Sequence, residues 1–95
     1  MATLYITEYG AIDRGIPREP ELTTQTVALT TTSAQSSAFN AATVAVRLHT
    51  DAICSVLMST NPTATQAMRR MVAGQTETFL VPPSASFKVA GITNT

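Results

Sequence analysis

The stretch Thr43-Val44-Ala45-Val46-Arg47-Leu48-His49 alternates strictly, with Val44, Val46 and Leu48 on one side and Arg47 and His49 on the other. Side chains that alternate with a period of two lie on opposite faces of a β-strand, not along one stripe of a helix. The same period returns in Thr3-Leu4-Tyr5-Ile6-Thr7, where Leu4 and Ile6 share a face. In Gln25-Thr26-Val27-Ala28-Leu29-Thr30, Val27 and Leu29 stand opposite Thr26 and Thr30. Thr76-Glu77-Thr78-Phe79-Leu80-Val81 turns Phe79 and Val81 inward, and the run from Phe87 to Ile92 does the same for Phe87 and Val89. Ile53-Cys54-Ser55-Val56-Leu57-Met58 is apolar on both faces, as a central strand covered on two sides would be.

The polar residues agree with this pattern. The chain has 17 threonines and 7 serines against 12 charged residues. A β-branched hydroxyl residue suits the wet side of a pleated strand, whereas helices in water keep Glu, Lys, Gln and Arg on their outer faces. Breakers separate the runs: Ser59-Thr60-Asn61-Pro62-Thr63, Ala73-Gly74-Gln75 and Pro82-Pro83-Ser84-Ala85. Short strands joined by such turns predict an all-β fold, a small antiparallel β-sandwich or barrel of six to eight strands with an irregular N-terminal segment. With 95 residues there is one domain, 1–95. Its expected core is Val44, Val46, Leu48, Val56, Phe79, Val81, Phe87 and Val89. No tryptophan is present, and much of the apolar content is alanine, so such a domain gains from burying further surface against neighbours.

Two segments resist the pattern. Residues 33–42 are rich in Ala and Ser without alternation and fit a loop or a short helix. Residues 61–74 carry helix signals, with Asn61 as N-cap, Pro62 in the first turn, Gly74 beyond the end, and Ala64, Ala67, Met68 and Met71 on one stripe. Thr63 and Thr65 weaken that helix, and the alternative is a loop followed by a short strand at residues 68–72.

Residues 10–24 differ in kind. Glu8, Asp13, Arg14, Arg18, Glu19 and Glu21 place six of the twelve charges between positions 8 and 21, while Gly10, Gly15, Pro17 and Pro20 bar helix and central strand. Such a segment is a solvated loop or an extended arm laid on a neighbouring subunit. In the second case Ile12 and Ile16 anchor it, and Asp13, Arg14, Arg18 and Glu19 form ion pairs at the rim. Arg69-Arg70, between Met68 and Met71, is the other unusual cluster. On a strand the two arginines point to opposite faces, so one meets the core side or an interface. On an edge strand their charge blocks aggregation; at an interface they pair with carboxylates.

Little else suggests chemistry. Six basic and six acidic residues cancel and Lys88 is the only lysine, a poor composition for displacing counterions from phosphates, so no nucleic-acid partner is expected. The longest uncharged stretch is dense in Thr, Ser and Gln, and no membrane partner is expected either. Residues 1–9 lack the basic and apolar regions of a secretory signal, which points to synthesis in a cytoplasm. The lone Cys54 sits in an apolar run and reads as a small buried hydrophobe. His49 is the only histidine; with Asp51 two residues on and many serines it could be drawn into a triad, but no Gly-x-Ser-x-Gly turn exists. No glycine-rich phosphate loop is present. Neither catalytic residues nor a cofactor or metal is expected.

The order of the pieces resembles a known group. The strand around Leu4-Tyr5-Ile6 precedes a charged Pro/Gly segment, then Thr24-Gln25-Thr26-Val27-Ala28-Leu29-Thr30. Further on come Val46-Arg47-Leu48-His49-Thr50-Asp51-Ala52-Ile53-Cys54, Asn61-Pro62-Thr63-Ala64-Thr65, Thr78-Phe79-Leu80-Val81-Pro82 and Phe87-Lys88-Val89-Ala90. This arrangement is similar to small virion proteins of tailed bacteriophages over nearly the whole chain, although Ser84-Ala85-Ser86 lacks the glycine expected in that turn. The resemblance implies a β-sandwich that decorates or cements a capsid. Its partner would be the major capsid protein or other virion subunits, with a homo-oligomer expected and the virion as its location. A head-fibre, neck or tail component is the alternative within virions. From another class, a host-surface or carbohydrate-binding module would use Tyr5 and Tyr9 for stacking.

Overall fold

A computed structural model describes residues 2–94; the first and last residues of the expected domain lie outside them. Two antiparallel four-stranded sheets pack face to face, with no helix among the described residues. The first sheet has the order β4 (Thr23–Ala28), β1 (Thr3–Tyr9), β6 (Ala45–Thr50), β9 (Thr76–Leu80). The second has the order β5 (Ala34–Gln35), β10 (Lys88–Thr93), β7 (Cys54–Ser59), β8 (Arg69–Met71). A two-stranded hairpin, β2 (Ile12–Asp13) and β3 (Ile16–Pro17), stands apart from both. The expected all-β sandwich is therefore the fold.

Alternation decides which side chains meet between the sheets. Register pairs Leu4 with Val27 and Ile6 with Leu48, so Leu4, Ile6, Val27, Val46 and Leu48 form the inner face of the first sheet. Cys54, Val56, Met71 and Val89 form the inner face of the second. Leu29, Phe39 and Val81, all in connecting chain, close the ends. Fully burying each large aliphatic side chain contributes about 1.5–3 kcal/mol. Gly91 also lies on the inner face, opposite Val56. A β-carbon there would stand 2.7 Å from Leu29 Cδ2, so the absence of a side chain makes room for leucine.

Three expected core residues, Val44, Phe79 and Phe87, are only half-buried. Val44 and Phe87 each precede their strand rather than lying in it, and Phe79 is on β9, an outer strand where the sandwich stands open. Residues 33–42 form neither helix nor plain loop, because Ala34 and Gln35 pair with Gly91 and Ala90. Residues 61–74 contain no helix; a loop runs into β8, as the strand alternative predicted. That loop lies over the outer face of the second sheet. Gln35 donates to the Asn61 side chain and the Pro62 carbonyl at 2.9 and 2.7 Å, and Asn94 donates to the outward-facing Ser55 at 2.7 Å.

Candidate interaction surface

The charged segment does not run out as an extended arm. Arg14 and Gly15 both take positive φ, 54° and 82°, which closes a two-residue turn and pairs Asp13 with Ile16 and Ile12 with Pro17. Turns of this hand match the twist of the strands they join. Gly15 enters the conformation freely; Arg14 does so at a steric cost that the hairpin overrides. The Arg18 amide donates to the Ala11 carbonyl at 3.0 Å, and the Leu22 amide donates to the Glu8 carbonyl at 2.7 Å, returning the chain to its starting strand. The Tyr9 hydroxyl donates to Glu19 Oε2 at 3.1 Å, so the segment covers the Tyr9 ring. Tyr9 is consequently buried, with the Arg47 guanidinium 5.7 Å from its ring centre. Burial, and then the bond to Glu19, push the Tyr9 phenol above its ordinary value.

The hairpin presents its residues unequally. Ile16 is 69% exposed, Ile12 is half-buried, and Asp13, Arg14, Arg18 and Glu19 are all exposed. Asp13, Arg14, Ile16 and Arg18 line a shallow hollow of about 260 Å³ on the hairpin itself.

Arg69 and Arg70 lie elsewhere, on the outer strand of the second sheet. Arg69 pairs with Val56 and so shares the inner face with Met71, while Arg70 points outward. One arginine thus meets the core side, as opposite faces on a strand require. Its guanidinium stacks 4.5 Å from the centre of the Phe79 ring and bridges the two sheets where the sandwich stands open. Around that contact lies a cleft of about 410 Å³, lined by Val56, Met58, Phe79, Val81 and Phe87 among others.

Behind the hairpin is a group that periodicity did not reveal. Glu8 falls on the inner face, in phase with Leu4 and Ile6, and is 1% exposed. Its Oε1 accepts from the Asn40 amide at 2.7 Å and the Thr43 hydroxyl at 2.8 Å, and its Oε2 accepts from the Gln25 amide at 3.1 Å. Gln25 in turn accepts from the Ser37 amide at 2.9 Å and donates to the Ser37 carbonyl at 3.2 Å. The in-phase spacing of residues 4, 6 and 8 was the available signal, and the charge on Glu8 obscured it.

His49 and Asp51 do not form a dyad with a serine. His49 Nδ1 lies 2.7 Å from the Thr76 hydroxyl, and the Asp51 carboxylate accepts from the Thr3 amide at 2.6 Å. Cys54 is buried and unpaired by any disulfide, and desolvation pushes its thiol above its ordinary value. Among the described residues no three His, Cys, Asp or Glu side chains gather where they could hold a metal ion. No helix among them is long and apolar enough to cross a membrane. No protein family, no curated protein and no solved structure matches this chain.

Proposed function

We propose that this chain is a structural subunit of a phage virion, decorating or cementing the capsid by binding the major capsid protein. The observation that carries this reading is the hairpin. It is bonded at its base and across its stem, yet it places Ile16 69% exposed at its tip. A rigid apolar knob has affinity for a neighbour without paying much ordering entropy on contact. The chain as a whole is rich in threonine and carries a net charge of zero, a poor composition for drawing it onto packaged nucleic acid. Many copies on one particle would multiply a weak individual grip.

The carbohydrate-binding reading is weaker. It needs stacking rings, and the hairpin buries Tyr9 to 2% exposure, leaving Tyr5 on that face at 46%. Quantifying the proteins of purified particles tests the proposal. The chain present in fixed proportion to the major capsid protein supports it; particles that lack the chain while the cell contains it overturn it.

A further inference from the structure

We propose that the cleft beside β9 is a socket for the β2–β3 hairpin of a second copy, so that copies join head to tail. The inference rests on reading the hairpin as an assembly contact and changes what it touches: the knob joins neighbouring copies, and the joined copies grip the capsid together.

Ile16 and Leu80, at 69% and 70%, are the two most exposed large apolar side chains among the described residues. They belong to opposite edges of one sheet. The hairpin springs from the β1–β4 pair at one edge, while Leu80 ends β9 at the other. Register places Tyr9, Ala45 and Leu80 side by side, so both features sit at the same end of the sheet. No hairpin residue lines the cleft and no cleft residue lines the hollow on the hairpin, so one molecule does not seat its own knob in its own cleft. Two molecules can do so.

The cleft is shaped for a strand-like guest. Strand β8 covers β7 only from Cys54 to Val56, which among the described residues leaves the backbone of Leu57, Met58 and Ser59 without a strand neighbour on that side. Among the described residues strand β9 pairs with β6 alone, so its other edge is also free of strands. Apolar pockets between two free backbone edges are what an added strand occupies. At the opposite edge, beside β4, the chain closes its own sandwich through the paired bonds between Gln25 and Ser37.

Charge agrees with the fit. Asp13 is the register partner of Ile16 on the hairpin, and both are exposed. Arg69 stands at the cleft with its guanidinium face against Phe79, which leaves its N–H edges for a carboxylate. Phe79 lines the cleft from the inner face and Leu80, turned outward, borders it at the rim; a hairpin seated there with Ile16 over the end of β9 offers Asp13 to that arginine. Knob and socket are different surfaces, so the contact is heterologous and closes into a ring or propagates.

Two variants test this on the full chain, Ile16→Asp and Leu80→Asp. Both positions are exposed, so circular dichroism and thermal melting of each should match the parent. Sedimentation should show the parent chain self-associating with concentration and each variant monomeric. An equimolar mixture should give a complex of two and nothing larger, because one intact knob meets one intact socket and the chain then stops. Combining Asp13→Arg with Arg69→Asp in one chain should restore association that either change alone weakens several-fold. A parent that stays monomeric at about 1 mM, the effective concentration neighbours reach when tethered on a surface, overturns the proposal. A variant that associates like the parent, or a mixture that stays monomeric, overturns it too. A monomeric parent found on particles would leave the virion role standing without the ring; an associating parent absent from particles would do the reverse.

Discussion

The Glu8 carboxylate, on the inner face of β1, receives the Thr43 hydroxyl at 2.8 Å from the chain that crosses between the sheets. The same group holds the Asn40 amide and the Gln25 side chain, so one carboxylate ties β4 and the crossing segment to the base of the hairpin. Removing it strands three donors, each worth about 1–3 kcal/mol if left dry. Because Asn40 is exposed and water reaches part of the site, Glu8→Ala should cost about 3 kcal/mol. Glu8→Gln keeps an acceptor for Thr43 and should cost about 1 kcal/mol. Urea unfolding of the three proteins checks the order. An unchanged midpoint for Glu8→Ala would show that the cluster contributes nothing.

Alkaline pH should weaken the fold through Cys54 first and Tyr9 after it. Its thiol is raised above the ordinary value by burial, and the Tyr9 phenol is raised by burial and by Glu19. The native state therefore holds both protons more tightly than the unfolded chain does. Their contribution is complete below the ordinary thiol value of about 8.5 and is lost as pH rises through the raised value. Urea midpoints should be flat from pH 7 to about 8.5 and fall beyond it. Cys54→Ala should soften the first part of that fall. Parallel curves for parent and variant would remove the thiol from the account.

Ser84 and Ser86 hold positive φ, 60° and 55°, in the turn between β9 and β10. The left-handed region costs a residue with a β-carbon about 1–2 kcal/mol. Glycine avoids that cost but adds about 0.5–1 kcal/mol of unfolded-state freedom. Ser86→Gly should therefore raise stability by about 0.5–1 kcal/mol, or about 2–8 °C in melting temperature. Ser84→Gly should gain less, since the Ser84 hydroxyl donates to the Ala41 carbonyl at 3.3 Å. Equal or lower melting for Ser86→Gly would show the turn to be unstrained.

That turn illustrates how far the residues could be read beforehand. Period two located the strands because one face of each is dry, and it placed Val46, Leu48, Val56 and Val89 correctly for that reason. It could not say where a sheet ends, so Phe79, in phase with the core, proved to be half-buried on an outer strand. The missing glycine at residues 84–86 was visible, but its result is two serines in left-handed backbone, of which Ser84 is held by bonds to Ala41, far away in sequence. The hairpin was hidden for a related reason. Its turn residues are Arg14-Gly15, without the Asn-Gly or Asp-Gly pair that marks such turns. Gly15 and the flanking prolines suggested a solvated loop or an arm instead. Arg69 and Arg70 were legible as a pair facing two ways, whereas the ring that receives Arg69 lies on the other sheet.

Shortening the hairpin is the most informative change for function. Glu8 pairs with Thr23, and the Leu22 amide already bonds the Glu8 carbonyl at 2.7 Å. Deleting residues 11–20 thus joins β1 to β4 by a short loop of ordinary hairpin length, and the sandwich should still fold. Some stability is lost, about 1–2 kcal/mol, because Tyr9 loses its cover. If the chain sits on particles as proposed, its attachment to them should fall sharply. Within the hairpin, exposed ion pairs are worth little and weaken with salt, whereas an apolar side chain seated in a pocket is not screened. Ile12→Ala combined with Ile16→Ala should therefore lower occupancy more than Arg14→Ala with Arg18→Ala, and the gap should widen as salt rises. Occupancy measured on particles reconstituted with each variant checks this order. Full occupancy by the deletion variant would make residues 10–24 a solvated loop and leave any attachment to the remaining surface.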